Sequence, residues 1–118
     1  MGFEELVEKL MECMDIQKQS LDENLLEEVR EVYRKLEEEL RIETDSIRKR
    51  ILEDRMRTLR VIMKKLFVRR GSKILNKAIR TVFGDEEDDG LKLSEKEKEI
   101  YDEIVRILKE YVSYMGVW

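Results

Sequence analysis

Arg50, Arg57 and Lys64 recur seven residues apart, and Lys65 and Arg69 extend the series. On a helix, seven residues are two turns, so the first three cations share one side. Such a stripe suits the phosphates of a nucleic-acid backbone. Aromatic side chains are not interleaved with these cations for base stacking, so any contact would be sequence-neutral. The five residues form a candidate basic surface. The competing role is internal pairing, in which an acidic helix lies beside the basic one and the charges offset each other. Arg48, Arg55, Arg70 and Lys77 project toward the apolar side of the same stretch, where arginine and lysine stems cover core residues and meet carboxylates at the rim.

Other reactive chemistry is sparse. The chain has no His and one Cys, which removes the commonest general base and metal ligand. Cys13 falls on the apolar side of an acidic helix, where a thiolate is disfavoured, and reads as core filler. Glu27-Glu28, Glu37-Glu38-Glu39 and the run from Asp85 to Asp89 are dense in carboxylates. None has EF-hand spacing or a Glu-x-x-His pattern, and solvated helix faces explain them. No phosphate-cradling glycine loop or nucleophile elbow occurs. The sequence therefore predicts a protein that is not an enzyme, with no catalytic residue, cofactor or bound metal.

The elements that position these side chains all read as helices. Phe3, Leu6, Val7, Leu10, Met11 and Met14 mark an amphipathic helix over about 3–18. Ser20 or Asp22 caps a second, with Leu25, Val29, Val32, Tyr33, Leu36 and Leu40 on one stripe. Asp45-Ser46 opens a third, whose apolar side carries Ile51, Leu52, Met56, Leu59, Ile62, Met63, Leu66 and Phe67. Gly71-Ser72 interrupts it. Beyond that point Leu75, Ala78, Ile79 and Val82 form a stripe rotated by about 120°. A kink, a fresh helix capped by Ser72 or a second contact surface is expected there. After an acidic loop, Ser94 and Glu97 form a capping box for a last helix whose predicted buried face is Ile100, Tyr101, Ile104, Ile107, Leu108 and Tyr111. The expected fold is all-α, a bundle of four to five helices with one long basic helix.

Composition agrees. With 118 residues, no Pro, five Gly and 44% charged residues, the chain suits one helical domain. Net charge is −4 but uneven: −9 over 1–47, +11 over 48–80 and −6 over 81–118. No apolar run reaches a membrane span, so no membrane partner is expected. A lone Cys and no signal-peptide pattern predict a cytoplasmic protein.

The order of motifs resembles a known family. Leu21-Asp22-Glu23 opens the acidic second helix. Ile51-Leu52-Glu53-Asp54-Arg55 leads into Leu59, then Leu66-Phe67-Val68-Arg69-Arg70 and Lys73-Ile74-Leu75. After the acidic loop comes Leu93-Ser94-Glu95-Lys96-Glu97-Lys98-Glu99-Ile100-Tyr101. This series, spanning nearly the whole chain, resembles the helical A domain of archaeal GINS subunits. The resemblance implies a non-enzymatic scaffold in the replicative helicase assembly, joining the MCM helicase to a RecJ-like partner, in a nucleoid-associated setting. It implies residues 1–118 as an A-type domain of the A-first kind, with the β-rich B domain expected after residue 118.

Highly charged helices around a small core often complete their burial in oligomers. The expected partners are other GINS subunits or copies of this chain, as a dimer or tetramer, with non-specific DNA contact as the alternative. The candidate interface is Leu75, Ile79, Phe83, Tyr114 and Trp118.

Overall fold

In a computed structural model, residues 2–15, 22–85 and 90–117 are described. They form four helices: α1 (Phe3–Asp15), α2 (Glu23–Ile42), α3 (Ser46–Phe83) and α4 (Glu95–Met115), with no strand among them. The fold is the expected all-α bundle. Its packing divides into two units. The first contains α1, α2 and α3 through Phe67, and the second contains α3 from Val68 together with α4.

In the first unit, α1 packs on α2 and buries Leu6 and Leu10 completely. Asp22 caps α2, its carboxylate accepting from the backbone N–H groups of Asn24 and Leu25 at 2.9 and 3.3 Å. These are donors that the first helical turn cannot satisfy itself. Leu25, Val29 and Leu36 are the buried residues of α2. Between α2 and α3, Glu43 accepts from the N–H groups of Thr44 and Asp45, and Asp45 accepts from that of Ile47. Two carboxylates thus organise the corner and start α3. Leu52, Met56, Leu59, Ile62 and Leu66 line the inner side of α3. Ile51 and Phe67, assigned by the sequence to that side, are 47% and 75% exposed. Each sits one residue, about 100°, outside a buried leucine, which turns it out of the seam.

No new helix begins at Gly71-Ser72: α3 is a single helix of 38 residues. Its buried line continues from Leu66 through Arg70, Ile74 and Ala78 in steps of four. Each such step overshoots a full turn by about 40°, so three carry the line around by about 120°. This is the rotation that the sequence pattern suggested, absorbed without a break. A Cβ at Gly71 would meet nothing within 4 Å, so no close approach demands glycine there. Gly84, by contrast, has φ 79°. Its N–H donates to the Thr81 carbonyl and that of Asp85 to the Arg80 carbonyl, a Schellman end that favours a residue without Cβ.

Candidate interaction surface

In the second unit, α3 and α4 are joined by a polar lock. Arg70 and Glu97 are both buried. The Arg70 guanidinium donates through Nε to Glu97 Oε2 at 2.9 Å and through Nη2 to Oε1 at 2.6 Å. Nη2 also donates to the Lys92 carbonyl at 3.0 Å. Glu97 closes the capping box as well: Oε1 accepts from the Ser94 N–H, and Ser94 Oγ accepts from the Glu97 N–H. One carboxylate therefore starts α4 and fastens it to α3. Burial alone would raise the Glu97 pKa, but the Arg70 guanidinium and the Ser94 N–H hold it below its ordinary value. Further along, the Thr81 and Tyr101 hydroxyls share a hydrogen bond.

Only part of the apolar face of α4 is used. Tyr101, Ile104 and Leu108 are half-buried. Ile100, Ile107 and Tyr111, expected to be buried with them, are 45%, 52% and 59% exposed. They turn about 80° away from the line facing α3. The candidate interface residues from the sequence lie in this same unit and are open to solvent. Leu75, Ile79 and Phe83 of α3 are exposed, as is Tyr114 of α4, whose ring lies 6.5 Å from that of Tyr111. Trp118 lies outside the described residues. Val68, Met115 and Val117 add to the exposed apolar surface. Exposed apolar residues at this density, when they cluster, mark a contact surface more often than scattered ones do.

Of the candidate basic surface, Arg50, Arg57, Lys64 and Lys65 are exposed on the first unit and Arg69 on the second. Arg57 pairs with Asp54 at 3.2 Å, on its own helix. No carboxylate among the described residues lies within ion-pair distance of Arg50, Lys64 or Lys65. The expected offset of α3 by the acidic α2 takes a different form. In the first unit, the ion pairs among described residues are Arg30–Glu27, Arg57–Asp54 and a long, exposed Arg48–Glu43 contact at 4.0 Å. Of the four inward cations, Arg70 meets a carboxylate from α4, and Lys77 is half-buried. Arg55 is exposed and holds its guanidinium 5.5 Å from the Phe3 ring centroid.

An open groove beside the α2–α3 corner is lined by Glu39, Glu43, Arg48, Ile51, Leu52 and Arg55, without a nucleophile and base in register. Cys13 is half-buried. Among the described residues, no three His, Cys, Asp or Glu side chains are grouped to hold a metal ion; residues 86–89 of the acidic run lie outside them. No helix among the described residues is long and apolar enough to cross a membrane. No family model matches the chain, and no curated protein or solved structure matches it.

Proposed function

We propose that this chain is a non-enzymatic scaffold that assembles with other subunits through helix packing, in a DNA replication complex of the GINS kind. The observation that carries the assembly reading is the open apolar face of the second unit, with Leu75, Ile79 and Phe83 on one helix and Ile107, Tyr111 and Tyr114 on the other. Exposing that much apolar area costs solubility and gains nothing for an isolated chain. The replication setting rests on the ordered motifs and brings the MCM helicase and a RecJ-like protein as partners. Co-elution of the purified chain with an archaeal MCM ring or RecJ-like protein is expected. Leu75→Glu should reduce it at least about tenfold, as loss of a central apolar anchor does. Absence of co-elution with either protein rejects the replication reading.

A second reading is favoured by the exposed cations of α3. Arg50, Arg57 and Lys64 lie opposite the buried line, about 10.5 Å apart, and suit sequence-neutral contact with a phosphate backbone. Duplex DNA anisotropy titrations should give an affinity that falls with salt. Three phosphate contacts correspond to a log–log slope of roughly −3. No binding at low ionic strength eliminates this reading.

A further inference from the structure

We propose that the exposed side of α3 in the first unit takes single-stranded nucleic acid, with a base stacked on the Phe67 ring and phosphates held by Arg60 and Lys64. This rests on the second reading above and names its ligand. Phe67 is 75% exposed, although the apolar periodicity of the sequence assigns it to the core side. Arg60, Lys64 and Phe67 follow one another in steps of four and three residues. They therefore fall within about 60° of the helix circumference and about 10.5 Å of its length. All three belong to the first unit. Both cations are exposed, and no carboxylate among the described residues lies within ion-pair distance of either. Arg57, one turn earlier in the same row, is held by Asp54 and is not counted as a contact.

The chemistry of this row selects the ligand. From Arg55 to Gly84 the sequence contains no Asp or Glu, so a polyanion lying along this stretch of helix meets no fixed negative charge from it. Phosphates account for the cations but not for the ring. In a duplex the bases are stacked on one another and present only their edges in the grooves. A single strand offers free base faces beside its phosphates, and stacking on an aromatic ring tolerates any sequence because every base has such a face. Stacking and phosphate contact do not depend on the sugar, so deoxyribose and ribose strands should bind alike. A protein partner anchored on Phe67 would need apolar neighbours around the ring, whereas the two preceding turns of the row carry Lys64 and Arg60. An anionic membrane surface would need a wide apolar stripe. The wide stripe of this helix, from Leu52 to Leu66, is buried, and the exposed Val61 stands about 120° from Phe67.

Anisotropy titrations of the full chain against oligo(dT), oligo(rU) and a duplex, each over a range of salt, test this. Phe67→Ala should weaken binding of both single strands about tenfold, the loss of one stacked base. It should leave duplex affinity and the salt dependence unchanged, because no phosphate contact is lost. Phe67→Trp should restore single-strand affinity. Lys64→Ala should weaken single strands and duplex together and lower the single-strand log–log salt slope by about 0.7. Both positions are exposed, so helix content should stay the same in every variant. If Phe67→Ala weakens single strands and duplex equally, or weakens neither, the stacking inference is overturned and the phosphate reading stands. If no nucleic acid binds at low ionic strength, both fall. Retention on phosphatidylserine vesicles that Phe67→Ala abolishes, without single-strand binding, assigns the row to a lipid surface and also overturns the inference.

Discussion

Replacing Arg70 with methionine is expected to lower stability by about 3–5 kcal/mol, because it leaves a buried carboxylate without its counter-charge. Methionine keeps most of the apolar stem, so lost packing is a minor part of the effect. The guanidinium donates to both carboxylate oxygens of Glu97 and to the Lys92 carbonyl. Glu97→Gln should cost a similar amount while preserving the start of α4, since glutamine at that position still completes a capping box. Melting followed by circular dichroism measures both.

The pH dependence carries a sign. In the folded chain the Glu97 carboxyl lies below its ordinary value of 4.5. Its contribution is therefore complete above that value and is lost as pH falls through the lowered folded value. Without Arg70, only the Ser94 hydrogen bonds oppose burial, and the folded value rises. The contribution of this group in Arg70→Met should then fall less on acidification than it does in the unmodified chain. The stability difference between the two chains should narrow on acidification. A difference that stays constant from pH ~6 to ~3 would show that the pair is not what joins α3 to α4.

Leu59→Ala should cost about 2–5 kcal/mol. Leu59 is 1% exposed, at the centre of the buried line of α3 in the first unit, and its removal leaves a cavity among neighbours that are themselves buried. Phe67→Ala, which removes a larger side chain from the same helix, should change stability by no more than about 0.5 kcal/mol, because Phe67 is 75% exposed. Side-chain size alone ranks the two in the opposite order. Urea denaturation of both variants separates the alternatives, and equal losses would place Phe67 in the core.

Local features of the sequence proved legible. The Asp22 cap and the Ser94–Glu97 box depend on residues two or three positions apart, and both occur in the structure. The inward direction of Arg70 follows from its place on the apolar line of α3. Its partner does not, because Glu97 lies 27 positions away and looks complete as a capping residue. The continuity of α3 was also hidden. A rotated stripe after a glycine reads as a new element, whereas a run of four-residue steps produces the same rotation within one helix. On α4, periodicity identifies the apolar half of the helix but not how much of it a neighbour covers. Ile107 and Leu108 are equally apolar, and only the direction of α3 leaves the first 52% exposed while the second is half-buried. That uncovered surface is where the structure adds most to the sequence.

Hydroxyl-radical footprinting of the chain, dilute and then concentrated or combined with the proposed partners, tests most directly whether this face is the contact surface. Phe83, Tyr111 and Tyr114 should lose reactivity several-fold on assembly, to the degree expected of side chains moving into an interface core, while Met11 on the first unit keeps its own. Unchanged reactivity of those three aromatics in every mixture would contradict the account.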